Sequence, residues 1–281
     1  MKILISLLLV LGSLSIFIFV LTRGRSSYKK YLQLKRRCQS DLIKSAEEGI
    51  IQEADLSDLP APVKKYLHYS GVVGTPKVRS FKPVFEGQMK MGPDKEWCDV
   101  QIQQINYIEE PTRLFYITLK HKGIPVFGLH HYEQANATMK IRILDLITVV
   151  DAKGEEMNQG ETVTFFNDMC LFAPGSLMDP RISWEAIDDY KCKGIFRNGG
   201  IEVSAILHFN KAGELTNFVS EDRYYSASGG GYENYPWSTP VGNYQKIGDY
   251  QLATQGQAVW HMKDGDFIYI KLNIKDVIIN P

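Results

Sequence analysis

The side chains that could do chemistry in this sequence begin with two carboxylate pairs. Glu185 stands close to Asp188, and Glu221 is followed directly by Asp222. Paired carboxylates serve general acid and base catalysis. Adjacent side chains on a strand point to opposite faces, so Glu221 and Asp222 cannot share one substrate. We therefore expect structural roles, with Glu185 forming an ion pair with Arg223 on a neighbouring strand.

The histidines suggest neither a metal centre nor a hydrolase. His131 and Glu133 share one face of a predicted strand, next to His130, but no third ligand can be identified. Neither His-Glu-x-x-His nor Gly-x-Ser-x-Gly occurs. We expect surface or packing histidines, and we predict no metal, no cofactor and no catalytic residue.

The four cysteines are widely spaced, at Cys38, Cys98, Cys170 and Cys192. The absence of Cys-x-x-Cys argues against a zinc or thioredoxin-type site. Two disulfides would require an oxidising compartment. We interpret the cysteines as small apolar fillers, and their redox state stays open.

Aromatic residues form the main candidate for a binding site. A large curved sheet with few helices leaves a concave face that is either filled by side chains or occupied by a ligand. Aromatic side chains also fill cores, and that alternative stays open for each of them. The predicted ligand-binding residues are Phe165, Phe166, Trp184, Glu185, Arg223, Trp237 and Trp260.

The charge balance excludes a nucleic-acid partner. The 281 residues include 32 lysines and arginines and 32 aspartates and glutamates, so the formal net charge is zero. No global field therefore favours polyanions. The length suits one large β domain with an anchor.

The strand pattern is clearest in residues 181–225. Turn signals at Arg197-Asn198-Gly199-Gly200 and Asn210-Lys211-Ala212-Gly213 predict three antiparallel strands in this stretch. Strand-like segments also fill residues 78–150 and 240–274, while Phe165, Phe166, Met169 and Phe172 predict a helix over 161–172, capped by Asn158. We predict a mainly β fold, a large curved antiparallel sheet (a half-barrel) of about 10–11 strands with a helix inserted at mid-chain.

Three local features carry more specific expectations. Pro83 predicts that its strand lies at an edge or bends. Gln103 and Gln104 mark a change of phase that predicts a bulge. Asp145 interrupts the apolar face of a strand predicted over 138–150, so its carboxylate must be paired or wet.

The N-terminus predicts a membrane anchor. Residues 3–21 are almost wholly apolar, and about twenty such residues span a bilayer as a helix. We divide the chain into an anchor (1–22), which contacts the bilayer through residues 3–22, a basic helical stalk (23–54) and an antiparallel β domain (55–281). A short helix that starts near Pro60 and stops at Gly71 would plug one end of the β domain.

By the positive-inside rule, the basic residues that follow the apolar stretch favour a cytoplasmic β domain. Alternatively, part of this basic run contacts anionic headgroups, and the membrane side stays open.

Several short motifs follow one another between residues 58 and 272. They are Leu59-Pro60-x-Pro62-Val63-x-x-Tyr66-Leu67, Gly87-Gln88-Met89, Ser183-Trp184-Glu185-Ala186-Ile187-Asp188, Arg223-Tyr224, Pro236-Trp237 and Trp260-His261-x-x-Asp264-Gly265. This pattern resembles a bacterial family of unknown function that often carries an N-terminal membrane segment. The chain departs from the family pattern at Asp168, where the family favours glutamate.

The architecture of that family looks similar to the half-barrel of bacterial lipoprotein-localisation carriers. The resemblance implies a curved sheet that cradles acyl chains, with helices that close its mouth, and an extracytoplasmic location. Fold likeness alone does not establish function.

Three functions follow as hypotheses. The first is a single-pass anchored protein that binds a lipid or another apolar ligand. The second is a hydrolase of a lipid-like substrate, which would require Glu185, Asp222 or His131 to meet in a cleft. The third is an envelope scaffold that contacts an unidentified protein through residues 26–48 and a glycine-rich loop at 226–234. Oligomeric state stays open.

Overall fold

The computed structural model describes residues 26–44, 49–227 and 231–281. In these residues the chain forms three α-helices, which are α1 (Ser26–Lys44), α2 (Ala61–Ser70) and α3 (Glu155–Phe172). The strands are β1 (Ser80–Lys90), β2 (Trp97–Tyr107), β3 (Thr112–His121), β4 (Ile124–Glu133), β5 (Asn136–Ile143), β6 (Ile147–Lys153), β7 (Ile182–Asp188), β8 (Lys191–Asn198), β9 (Ile201–Phe209), β10 (Leu215–Ser220), β11 (Tyr224–Ala227), β12 (Gly231–Asn234), β13 (Trp237–Ser238), β14 (Val241–Ile247), β15 (Tyr250–Met262) and β16 (Gly265–Ile279).

The described strands form a curved antiparallel half-barrel. Its order is β6-β5-β4-β3-β2-β1-β16-β15-β13-β10-β9-β8-β7, and β14 also pairs with β15 to give 14 strands. A separate hairpin joins β11 to β12. The predicted mainly β half-barrel with a mid-chain helix is confirmed. The last strand, β16, pairs with the first, β1, so the two chain ends of the β domain meet in the middle of the sheet.

The strand count exceeds the prediction because two turns and the two-residue strand β13 escaped sequence pattern. Residues 138–150 form two strands, since Leu144 and Asp145 take positive φ values of 55° each and reverse the chain. Residues 181–225 contain four strands of the main sheet before β11, since the amide of Tyr190 donates to Asp188 in a further turn. Short polar side chains of this kind favour turns by bonding to the backbone two residues ahead.

Helix α3 lies inside the half-barrel and is buried on nearly every side from Gly160 to Phe172. It begins at Glu155 rather than Glu161. The predicted cap is wrong, because Asn158 accepts a hydrogen bond from the amide of Ala137 instead. The aromatic rings of Phe166 and Phe196 stack with centroids 5.6 Å apart. The helix therefore supplies much of the core that the curved sheet encloses.

Helix α1 covers the opposite face of the sheet. Its buried residues form one cluster with side chains of β2 and β3, namely Tyr31, Leu34, Ile105, Tyr107, Leu114 and Tyr116. This cover explains the apparent change of phase, and the predicted bulge is wrong, because β2 pairs with β3 without a break through Gln103 and Gln104. Side chains on both faces of β2 are buried here, so the period of two disappears from the sequence.

Pro83 lies on a strand that pairs with both β2 and β16, although the pairs with β2 are interrupted between Phe81 and Glu86, around Pro83. The predicted edge position is therefore wrong. The expected bend agrees with a register shift against β16 between Val84 and Phe85.

Helix α2 ends at Gly71, whose φ of 74° is left-handed. It packs against the enclosed core, since the Tyr66 hydroxyl donates to the carbonyl of Cys170 at 2.8 Å.

The two halves of the sheet touch where the β8–β9 turn meets the β4–β5 turn. Gly199 has a φ of +56°, and a Cβ placed there would lie 2.5 Å from the Cβ of Ala135. The Asn198 amide donates to the Tyr132 hydroxyl at 2.8 Å beside this contact. Only glycine fits, because both the conformation and the close approach exclude a side chain.

The predicted anchor, residues 1–22, lies outside the described residues, as does part of the predicted stalk. Within the described ranges, no helix combines the length and apolar character needed to cross a bilayer.

We expect Phe166→Ala to lower the free energy of unfolding by about 3–5 kcal/mol, because it opens a cavity between α3 and the sheet. The site is tightly packed, since a Cβ on Gly194 would lie 2.7 Å from Cζ of Phe166. Urea denaturation followed by circular dichroism measures the loss. Tyr190→Ala is the matched control, since Tyr190 is exposed. An equal cost in both variants would contradict this packing role.

Candidate binding site between the buried helix and the sheet

A network of buried charges joins α3 to the sheet. Arg113 of β3 donates from Nε to Oδ2 of Asp168 at 2.7 Å and from Nη1 to Oε2 of Glu161 at 3.1 Å. The two acceptors are seven residues apart on α3, which places them two turns apart on one helix face. The arginine thus binds two turns of the helix with one planar group.

Two amides of β2 complete the shell around Asp168. Gln104 Nε2 and Asn106 Nδ2 donate to its Oδ2 at 2.7 and 3.0 Å. Gln104 Nε2 also lies 2.8 Å from Oδ1 of Asn106. Gln104 and Asn106 alternate along the strand, so they share the face directed at α3. Asp168 therefore accepts three donors in a buried position.

The two carboxylates differ in their electrostatic surroundings. Burial alone would raise the pKa of Glu161, but Arg113, His130 and Arg223 outweigh that effect and lower it to about 2. Burial raises the pKa of Asp168, because Arg113 and the amide donors offset only part of its cost. Glu161 is therefore the fixed negative charge of the network.

His130 and Phe115 extend this network towards the open part of the sheet. His130 Nδ1 lies 3.5 Å from Oε1 of Glu161. Its ring meets Phe115 edge to face, with centroids 5.4 Å apart. Both residues are only partly buried. The charged network therefore has a solvent-accessible border.

Arg223 lies at this border between two tryptophan rings. Its Cζ is 4.3 Å from the ring centre of Trp237 and 5.3 Å from that of Trp260. Nη2 lies 4.0 Å from Oε1 of Glu161. Nε and Nη1 are buried and have no hydrogen-bond partner among the described residues. The tryptophans hold the cation by cation–π attraction but supply no acceptor for its N–H groups.

Tyrosines enclose the same tryptophan pair. Tyr269 stacks on Trp260 with centroids 6.3 Å apart, and its hydroxyl accepts from Nε1 of Trp237 at 3.2 Å. Tyr225 meets Trp260 edge to face at 5.7 Å. Arg223, Trp237, Trp260, Tyr225 and Tyr269 are called the arginine box below.

An apolar strip continues from this border along the helix-facing side of the sheet. Cross-strand pairing places each member on the face that carries Gln104, Arg113 and His130. The strip consists of Met89, Val100, Ile102, Ile117, Val126, Met139 and Ile141. Met89, Met139 and Ile141 are only partly buried. An apolar surface that is only partly covered by the protein can bind an apolar ligand.

Two grooves of about 860 Å³ each lie elsewhere, along the opposite face of the sheet. Polar side chains such as Gln101, Gln255 and Lys271 line the first. Neither groove is lined by a buried donor that lacks a partner among the described residues, so the arginine box is the better candidate for an anionic ligand.

The structure brings three of the predicted ligand-binding residues together, namely Arg223, Trp237 and Trp260. Phe165 and Phe166 lie deeper, in the core of α3. Trp184 packs on Phe166 with centroids 6.2 Å apart.

Glu185 projects from the outer surface, with 61% of its side chain exposed, and lies 3.9 Å from Lys193. The predicted ion pair between Glu185 and Arg223 is wrong, because Arg223 faces Glu161 from the other side of the domain's core.

The residues of the hydrolase hypothesis hold separate partners. Asp222 accepts the amide of Ser204 at 2.6 Å, and His131 Nε2 lies 3.0 Å from Glu133. The structure does not bring Glu185, Asp222 and His131 into one cleft. The described residues also contain no group of three histidine, cysteine, aspartate or glutamate side chains arranged to hold a metal ion.

Sequence reasoning missed Arg113, Glu161, Gln104, Asn106 and Tyr269. Two signals were available. Gln104 and Asn106 alternate on a strand that is otherwise apolar on that face, and Glu161 and Asp168 repeat at helical spacing on a helix rich in phenylalanine. Arg113 gave no signal, since charged residues near a turn are common.

Comparison with known proteins gives a family and distant structural similarity. The model of a family of unknown function, DUF6544, matches residues 49–272. No curated protein matches the chain.

Three solved structures are similar in outline. A putative outer membrane lipoprotein-sorting protein domain from Vibrio parahaemolyticus is 12% identical with a TM-score of 0.39, over 72% of this chain and 85% of that one. A LolA superfamily protein from Nitrosomonas europaea is 11% identical with a TM-score of 0.42, and a DUF1329 family protein from Desulfovibrio piger is 8% identical with a TM-score of 0.42. Each of the latter two covers 78% of this chain and 92% of its own. We draw no function from these likenesses.

The folded state lowers the pKa of Glu161, so its contribution to stability is complete above the ordinary value of 4.5 and disappears as the pH falls through about 2. Between about pH 5 and pH 3, the wild-type free energy of unfolding should fall by about 2 kcal/mol more than that of Glu161→Gln. Urea titrations at several pH values measure the difference. Glu202→Gln, at an exposed ion pair with Arg197, is the control and should follow wild type. Parallel curves for wild type and Glu161→Gln would contradict the assignment.

Proposed function

We propose that this chain, which belongs to the DUF6544 family of unknown function, is a non-catalytic binding protein for an amphipathic, lipid-like ligand. Membership of the family assigns no activity by itself. The anionic group of the ligand binds in the arginine box. Its apolar part lies along the apolar strip on the helix-facing side of the half-barrel.

Arg223 is the observation that carries the proposal. A buried N–H group without an acceptor costs free energy, and two such groups on one guanidinium cost more. Nε and Nη1 of Arg223 are in this condition among the described residues. A carboxylate or phosphate presents two oxygens in the spacing that a guanidinium fork recognises. Because Nε and Nη1 point to different edges of the guanidinium, such a ligand would accept from one of these two donors together with Nη2, which lies 4.0 Å from Glu161.

The orphaned donors of Arg223, rather than the net charge around the box, favour an anion. Arg113 donates to Oε2 of Glu161 at 3.1 Å, whereas Nη2 of Arg223 lies 4.0 Å from Oε1, beyond hydrogen-bond distance. His130 adds a further polar group beside Glu161. The formal charges of the two arginines and the two carboxylates, Glu161 and Asp168, cancel, so the case for an anion rests on the orphaned donors of Arg223.

The apolar strip supports an acyl chain or a similar group. Its members run from Met139, which pairs with His130 beside Phe115, towards Val100 and Val126. Because they lie on one continuous face, a ligand held by Arg223 at one end would cover them in sequence. Burial of their remaining exposed surface would add hydrophobic free energy to binding.

Residues 3–22 are proposed as a single-pass membrane anchor, which would place the binding domain beside a lipid source. The apolar composition of residues 3–21 supports this part of the proposal. Residues 23–54 link the anchor to the β domain of 55–281.

The binding test uses the full-length chain in a non-ionic detergent, titrated with a fluorescent fatty acid and with its uncharged methyl ester. We expect wild type to prefer the acid by roughly tenfold or more, the value of a charged hydrogen bond. Arg223→Met keeps an apolar side chain between the tryptophans, so it should lose the preference while still binding the ester.

Arg197→Met is the matched control, because Arg197 is an exposed arginine paired with Glu202. Denaturation midpoints check that both variants are folded. An unchanged preference in Arg223→Met, or no binding of either probe by wild type, would overturn the proposal.

A further inference from the structure

Three hairpin turns lie side by side at one end of the sheet. They join β1 to β2, β3 to β4 and β5 to β6, and these six strands are consecutive neighbours. In antiparallel order, alternate turns fall at the same end, so residues 91–96, 122–123 and 144–146 form one rim.

Large apolar side chains are exposed on this rim. Met91 is 50% exposed, Ile124 48%, Leu144 39% and Ile147 60%. Turns normally carry polar residues, so apolar side chains at three adjacent turns mark an interaction surface. These four residues are called the hairpin rim.

The hairpin rim lies at the end of the apolar strip. Ile124 stands two residues before Val126, and Met91 two residues after Met89, so both point to the helix-facing side. Ile147 pairs with Ile143, which shares a face with Val126. The exposed rim therefore continues the strip to the edge of the domain.

Exposed cations flank the rim. Lys120 and Lys122 lie at the β3–β4 turn, and Lys29 and Lys30 lie in the first turns of α1. The acids nearby are Asp94 and Glu96 in the β1–β2 turn and Asp145, which is buried. A mixture of apolar tips and lysines suits the interface of an anionic bilayer.

The N-terminal chain reaches the described structure at this rim. The Ser26 hydroxyl donates to Oδ2 of Asp145 at 3.2 Å, and the Ser27 amide donates to the same oxygen at 3.0 Å. Only residues 22–25 separate Ser26 from the apolar stretch of residues 3–21. Four residues span at most about 14 Å. An inserted apolar stretch would therefore hold the rim close to the bilayer surface.

From this juxtaposition we infer that the hairpin rim is a membrane-contact surface that inserts its apolar side chains into an anionic bilayer. The rim then joins the bilayer to the apolar strip and gives a lipid a path to the arginine box. The path, though not the contact itself, rests on the proposed ligand-binding function.

The test labels single cysteines of the full-length chain with an environment-sensitive fluorophore. Cys38→Ser and Cys98→Ser remove the more accessible thiols, while Cys170 and Cys192 are buried. Ile124→Cys and Ile147→Cys report on the rim. Ile278→Cys is the matched control, since Ile278 is 38% exposed and pairs with Lys82 near the opposite end of β1. The protein is reconstituted in vesicles of phosphatidylcholine and phosphatidylglycerol that carry brominated acyl chains.

We expect bromine to quench the labels at 124 and 147 at least threefold more than the label at 278. Lys120→Glu with Lys122→Glu should weaken the quenching at 124, whereas Lys211→Glu, at the β9–β10 turn, should not. Labels at 124 and 147 that bromine does not quench would overturn the inference. Labels equally shielded in detergent would indicate contact between protein copies and would also overturn it.

The outcomes separate the two proposals. Quenched rim labels together with an Arg223→Met variant that binds like wild type would leave the membrane contact and remove the ligand site. Unquenched labels with a lost preference in Arg223→Met would do the reverse.

Discussion

The bond of Arg113 to two turns of α3 is the interaction on which the rest of this structure depends. A sheet of 14 strands encloses more space than its own side chains fill, and α3 occupies the part near β2, β3 and β9. Apolar contacts would hold such a helix without fixing its rotation. Hydrogen bonds between charged groups fix both the rotation of α3 and its position along its axis. Any shift that broke one of these bonds would leave a buried charge uncompensated. Arg113 thereby fixes the position of the Glu161 carboxylate, which also faces Arg223.

The arginine box follows from that placement. Arg223 lies 4.0 Å from Oε1 of Glu161, whereas Arg113 donates to the other carboxylate oxygen, Oε2. The tryptophans Trp237 and Trp260 stabilise the guanidinium without satisfying its donors. A structural cation would be expected to have all its N–H groups paired. The imbalance at Arg223 distinguishes it from Arg113, which has the same chemistry but donates from Nε and Nη1 to Asp168 and Glu161 on α3.

Sequence pattern predicted the antiparallel half-barrel and its enclosed helix because both depend on local periodicity. Ile201, Val203 and Ala205 alternate with polar residues, and phenylalanines repeat at helical spacing between 165 and 172. Prediction from sequence periodicity failed at residues that contact a second element distant in sequence. Ile105 and Tyr107 looked like a slipped strand because α1 covers them from outside. Asp145 looked like a strand residue, whereas it receives the serines of α1 in a turn.

The candidate site was predictable only in part, for the same reason. Trp237, Trp260 and Arg223 stand out by residue type. Their meeting with Glu161 and His130 depends on strands and a helix that are distant in sequence, and no periodicity encodes such contacts. Glu185 was misplaced because its face of β7 could not be deduced from neighbours on one strand. Ion pairs between residues distant in sequence can be predicted only after the order of the strands in the sheet is known.

The pairing of β16 with β1 has a consequence for synthesis. A ribosome releases β1 early and β16 last, so the edge of β1 that awaits β16 stays unpaired until nearly the whole domain has been made. An unpaired edge next to an apolar face is open to association with other chains. If the N-terminal residues insert in a bilayer as they emerge, each nascent chain is held at the membrane surface, separate from other incompletely folded chains. Membrane tethering would then protect the unfinished sheet during its assembly, before any ligand is bound.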